Sequence, residues 1–173
     1  MNVSARVYWK PRQESLDACA SKLRKHFSFL EELSASTKTW HAPGHSRKHS
    51  NSVVEAHEEG ALKALLEAGL NRRDVDRSPI EELGWHIGLW NGRSGEWACS
   101  TSVLCGGYAR SVTNHARLEI NNGTLDGLSV EPKAIMERLA DIWDADRGVL
   151  DMDGNTLHRF KANPLRAVTR LFG

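Results

Sequence analysis

The chain has 173 residues, with 23 Lys and Arg against 22 Asp and Glu, a net charge of +1 and a pI near 7.8. That length supports one domain, which can bury roughly 70% of its unfolded surface without staples. The balanced charge argues against a dedicated nucleic-acid reader, and the lack of any run of about 18 apolar residues argues against a membrane-spanning helix.

Residues 3–9 alternate Val3, Ala5, Val7 and Trp9 against Ser4, Arg6 and Tyr8, which predicts a strand ended by Pro11. Ser15 offers a helix N-cap with Asp17 in the first turn, and Leu16, Cys19, Ala20, Leu23, Phe27, Leu30 and Leu33 recur at helical spacing to about residue 34. A polar loop is expected over 35–53 around Pro43-Gly44, then a helix from about Glu55 to Ala68 with Leu62, Leu65 and Leu66 inward and Gly69 as its C-cap. Asn71-Arg72-Arg73-Asp74 makes a charged connection.

The stretch from Gly84 to Gly92 then sets Trp85, Ile87 and Leu89 on one face of a strand and His86, Gly88 and Trp90 on the other. Across Asn91-Gly92, Trp97, Cys99, Thr101 and Val103 alternate in turn, predicting a hairpin of about 83–91 with 96–105 near the centre of a sheet. Further strands are expected at 115–120, Leu128 to Val130 and 147–151. A helix with Pro132 in its first turn is expected over 132–144, with a turn at Asp153-Gly154 and a short amphipathic helix from Pro164 to Phe172. This order predicts one α+β domain over 1–173: a mostly antiparallel sheet with about three helices on one face, the other face open to solvent or a partner, and a basic tail over about 154–173.

No constellation for catalysis is complete. His41, His45 and His49 are spaced by four, as zinc ligands on a helix would be, but Pro43-Gly44 interrupts them. Asp151-Met152-Asp153-Gly154-Asn155 starts like a calcium loop, yet Thr156 and Ala162 stand where that loop needs Gly and Glu. Cys99 or Cys105 with His86 or His115 would form a nucleophile–base pair, but no flanking motif announces one. Arg72-Arg73 and Arg47-Lys48 could touch phosphate, without the exposed aromatics of a nucleic-acid reader. No cofactor or metal is expected. Three cysteines and an N-terminus without an apolar secretory segment point to reduced thiols in a cytoplasm.

Four groups of residues, in this order, carry a family resemblance: Tyr8-Trp9-x-Pro11-Arg12-x-Glu14-Ser15; Trp40 with Ser46-Arg47-Lys48; Asn71-Arg72-Arg73-Asp74; and Glu82-Leu83-Gly84 through Gly88-Leu89-Trp90-Asn91-Gly92. Together they resemble the immunity protein 52 family of bacterial polymorphic toxin systems over about residues 6–150. Lys10 departs from the pattern, which would have Gly there. The resemblance implies a cytoplasmic, non-catalytic protein that binds and neutralises a cognate secreted toxin. Such toxins are commonly nucleases of the restriction-endonuclease type, delivered by a type VI secretion system.

A nuclease cleft is basic, so acidic side chains would complement it. The candidates are Glu55, Glu58 and Glu59 on the second helix, Glu81 and Glu82 before the Trp-rich strand, and Asp126, Asp141, Asp144 and Asp146 around the third helix. The alternative is a small metal-dependent hydrolase or metal-binding protein built on His41, His45 and His49.

Overall fold

A computed structural model describes residues 2–42, 52–125, 128 and 130–161. Eight antiparallel strands form one sheet: β1 (Asn2–Trp9), β2 (His41–Ala42), β3 (Ser52–Val53), β4 (Trp85–Trp90), β5 (Cys99–Cys105), β6 (Asn114–Asn121), β7 (Arg147–Met152) and β8 (Asn155–Lys161), in the order β3-β2-β4-β5-β6-β1-β7-β8. The helices are α1 (Leu16–Leu33), α2 (Glu59–Ala68), the four-residue α3 (Asn122–Leu125) and α4 (Pro132–Trp143). The expected α+β architecture is present, with α1, α2 and α4 gathered on one face of the sheet.

Strand alternation makes that face. Val3, Ala5, Val7 and Trp9 of β1 meet Ile120, Leu118, Ala116 and Asn114 of β6, and these in turn meet Cys99, Thr101 and Val103 of β5. All of these are buried. Helix α2 lies against β4, α1 reaches β5 and α4 covers β1 and β7. Ser15 caps α1 as expected, its Oγ accepting from the Ala18 amide at 3.1 Å.

Trp9 stacks on Trp143 with ring centres 5.1 Å apart and planes 12° apart. The Trp143 indole N–H donates to His26 Nδ1 at 3.2 Å. His26 therefore carries its proton on Nε2, which donates to Thr101 Oγ1 at 2.9 Å, and the Thr101 hydroxyl donates to the Arg117 carbonyl at 2.9 Å. This chain of bonds joins α4, α1, β5 and β6 inside the core. Every side-chain nitrogen and oxygen in it is satisfied, which burial of polar groups requires.

Several expectations are corrected. Helix α2 starts at Glu59 rather than Glu55: the Glu58 amide closes a turn on the Glu55 carbonyl at 3.1 Å, and Glu58 itself is extended, with φ −85° and ψ 113°. Gly69 is the C-cap of α2 as expected, but with φ −85° rather than in a left-handed turn; a Cβ there would overlap the His86 carbonyl, and close approach requires the glycine. Strands β4 and β5 are third and fourth of the eight, near the centre as expected, although the outer neighbour β2 meets β4 only at His41 and Trp90. The connection after Trp90 is longer than Asn91-Gly92, running through a 3-10 turn at Gly95–Trp97. Residues 35–53 include a 3-10 turn at Ala35–Thr37 and the short strands β2 and β3. Leu128 and Val130 lie outside any strand.

Residues 155–161, expected as part of a tail, form the edge strand β8. It pairs with β7 across Asp153 and Gly154, whose φ values of 49° and 80° suit a tight hairpin. The expected helix from Pro164 to Phe172 lies outside the described residues.

Truncating Trp9 to Ala should cost about 3–5 kcal/mol. Trp143→Phe keeps most of the ring but leaves buried His26 Nδ1 without a donor, and should cost about 1–3 kcal/mol. Urea unfolding of both variants checks these values, and wild-type midpoints for both would contradict the core assignment.

Burial lowers the pKa of His26 from 6.5 to about 3. Between these values the unfolded chain binds the proton and the folded chain does not. His26 thus removes stability as pH falls below 6.5, by at most about 1.4 kcal/mol per pH unit. Nitrogen NMR should find the Nε2–H tautomer of His26 unchanged from pH 8 to 5, and titration of its ring near 6.5 would contradict this.

Candidate functional site

The resemblance motifs lie where the fold is made. Arg12 lies over the Trp9 ring at 5.6 Å, and its Nη2 donates to the carbonyl of Trp143 at the end of α4, 2.7 Å away. Glu14 and Asp144 both hold Lys22, at 2.7 and 3.1 Å. These contacts tie the segment after β1 to both long helices. Trp40 is buried against Phe27, its N–H donating to the Thr37 carbonyl at 3.0 Å.

Asn71 Nδ2 donates to the Gly84 carbonyl at 3.2 Å. Gly84 has φ 72°, and a Cβ there would overlap the Cys105 carbonyl and the Gly107 amide. Buried Asn91 organises the β4–β5 connection. Its Nδ2 donates to the carbonyls of Ser36 and Trp97 at 3.1 and 2.9 Å, and its Oδ1 accepts from the Cys99 amide at 3.0 Å. Ser46, Arg47 and Lys48 lie outside the described residues.

The nucleophile–base pairs are taken apart by the pleat. Cys99 and Cys105 point into the core, whereas His86 and His115 point to the opposite face of the sheet. Burial, then the charge of Glu119, pushes the Cys99 thiol up to about 12. A hydrogen bond with Cys19, with burial, holds the Cys105 thiol well above its ordinary range. Both therefore stay protonated at neutral pH and are poor nucleophiles.

Of the histidine trio, only His41 lies among the described residues, with its ring 5.9 Å from that of Trp90. Among the described residues no three His, Cys, Asp or Glu side chains come together as a metal site would need.

The acidic candidates fall in three places. Glu55, Glu58 and Glu59 are exposed around the start of α2, although Glu59 also pairs with Lys63. Glu81 and Glu82 are exposed on a 3-10 turn, near the other end of α2, about 15 Å along that helix. Asp141, Asp144 and Asp146 lie at the end of α4, over β1 and β7. Strands β4 and β1 are three spacings apart, about 14 Å. Asp144 holds Lys22, and Asp146 accepts from the Lys10 amide at 2.8 Å. Asp126 lies outside the described residues.

The opposite face of the sheet, expected to be open to solvent or a partner, is left uncovered by the described helices; none of its residues was named as a candidate, although strand alternation alone divides them from the core. Cross-strand register sets them in three rows. The first runs Lys161, Arg147, Tyr8, His115, Leu104 and His86. The second runs Arg159, Val149, Arg6, Arg117, Ser102 and Gly88. The third runs Asp151, Ser4, Glu119, Ser100 and Trp90.

Ion pairs join Arg6 to Asp151 and Arg117 to Glu119. Arg147 lies over the Tyr8 ring at 5.0 Å. His115, partly buried beside His86 and Arg117, has its pKa lowered, chiefly by burial. A hollow of about 540 Å³ lies beside Ser4, Arg6, Trp90 and Glu119. Another of about 480 Å³ is bounded by Tyr8, Arg147, Val149, Arg159, Phe160 and Lys161.

An α+β domain with its helices on one sheet face, an uncovered polar and aromatic face opposite, and its motif residues spent on the scaffold has the build of a binding protein. A family model described as immunity protein 52 matches residues 3–149, and the chain belongs to that family. Membership implies an immunity protein, one that binds a cognate toxin. A search of curated proteins finds no match. Among the described residues no helix is long and apolar enough to cross a membrane.

If the motifs serve the scaffold, changing them should unfold the protein. Gly84→Ala should cost about 3 kcal/mol or more through backbone strain and overlap. Asn91→Ala, which strands several buried polar groups, should cost about 2–5 kcal/mol. Chemical denaturation measures both. Full stability with lost partner binding would instead make these residues part of a binding surface.

Proposed function

We propose that this chain neutralises a secreted nuclease toxin of the restriction-endonuclease type, delivered by a type VI secretion system. It acts by forming a stoichiometric complex in the cytoplasm of the producing cell and its siblings, with no catalysis of its own. The observation that carries the reading is the family match across residues 3–149, which takes in the described strands from β1 into β7 and the four described helices.

The chemistry of the chain agrees with it. The core thiols are held protonated, and His86 and His115 lie across the sheet from them. The metal-hydrolase alternative rests on a trio of which His41 alone is described, and that ring lies beside Trp90.

The test is co-expression with the C-terminal toxin domain encoded beside this chain. Cells should survive only with both proteins, the two should co-purify in equimolar amounts, and the complex should no longer cleave DNA or RNA. Absence of a complex, or undiminished cleavage in molar excess of this chain, would contradict the proposal. Full protection at a small fraction of the toxin's concentration would point to an enzyme instead.

A further inference from the structure

We infer that the toxin docks on the β7–β8 end of the uncovered sheet face through an acidic surface of its own. This deepens the toxin-neutralising reading and rests on it.

The uncovered face carries Arg6, Arg117, Arg147, Arg159 and Lys161 against Glu119 and Asp151. The two carboxylates are each held by one arginine, Asp151 by Arg6 and Glu119 by Arg117. Among the described residues, no carboxylate forms an ion pair with Arg147, Arg159 or Lys161. Register brings these three together: Lys161 lies beside Arg147, and Arg159 is one row away beside Val149.

Together with Tyr8, Gly148, Val149 and Phe160 they line a hollow of about 480 Å³. Three cations beside Tyr8 and Val149 fit an apolar side chain flanked by carboxylates. Tyr8, with Arg147 over its ring, gives a rigid contact of low entropy cost.

Other occupants fit less well. Residues 162–173 of this chain carry Arg166 and Arg170 and no acid, so their charge is wrong for this surface. A second copy related by a two-fold axis would set Arg147, Arg159 and Lys161 against themselves. A second copy offering Glu55, Glu58 and Glu59 would make a head-to-tail contact, which runs on to a ring or a filament rather than a simple dimer. A nucleic-acid strand crossing the face would run its phosphates over Glu119 and Asp151.

The consequence concerns how the toxin is held. A nuclease grips phosphate in a basic cleft, so an inhibitor that docks through cations binds beside that cleft rather than imitating the substrate within it. The acids around α2 lie on the helical side of the sheet and define the competing arrangement.

The experiment measures affinity for the C-terminal toxin domain encoded beside this chain, by titration calorimetry at low and high salt. The triple variant Arg147→Glu, Arg159→Glu, Lys161→Glu should weaken binding about 100-fold at low salt and lose most of its salt dependence. Arg159→Glu alone, at an exposed position, should weaken it about tenfold and serves if the triple variant fails to fold. Reversal of Glu55, Glu58 and Glu59 to Lys should change affinity by less than about threefold.

The inference is overturned if the folded sheet-face variants bind like wild type, or if the α2 reversal abolishes binding instead. Self-association of the wild type through this face would also overturn it, as would binding of a DNA duplex that the triple variant loses. If the wild-type chain itself does not bind the toxin domain, the toxin-neutralising reading falls and this inference with it.

Discussion

The link from the Trp143 indole through His26 and Thr101 to the Arg117 carbonyl holds α4 and α1 to the middle of the sheet. A sheet of this width needs one face covered to bury its apolar rows. Three helices do that only if each is held in place, and aliphatic packing alone is weakly directional. The buried hydrogen bonds supply direction. They join α4 to α1 and α1 to β5, and the Trp9–Trp143 stack joins α4 to β1. Moving either helix would strand polar groups away from water, at a cost of about 1–3 kcal/mol for each.

That arrangement decides the surface. With α1, α2 and α4 all committed to one side, no described helix covers the backs of β1, β4, β5, β6 and β7. Their residues are therefore free to be chosen for a partner rather than for the core. The motifs shared with the immunity family act on the first side: Arg12 holds the end of α4, Ser15 starts α1, Asn91 closes the β4–β5 connection and Gly84 lets β4 approach Cys105. A scaffold held by common residues with a separate face for contact suits a protein that must match one particular toxin.

Much of the fold was readable from local pattern. The alternation in β1, the hairpin of β4 and β5, the Ser15 cap and the apolar stripe of α4 all depend on residues a few positions apart. Strand β8 was hidden because its exposed side chains, including Leu157 at 55% exposure, break the alternation that marks a half-buried strand. The start of α2 was misplaced because glutamate is a poor cap, and helical spacing continued back through Glu55 and Glu58. The site was less legible still. Nothing near Asp146 indicates that it accepts from Lys10, 136 residues away. Likewise, nothing local sets Lys161, Arg147 and Tyr8 in one row, since that row exists only once the register of three strands is fixed.

The central claim is that an immunity protein meets its toxin with the uncovered sheet face and keeps its helical face for itself. Amide hydrogen exchange of this chain, alone and with the toxin domain, tests it most directly. Strand β8 is an edge strand whose outward amides exchange readily in the free protein. Complex formation should slow exchange along β8 and its turn from β7, and leave residues 55–68 unchanged. Slowed exchange confined to residues 55–68, with β8 exchanging as in the free protein, would contradict the account.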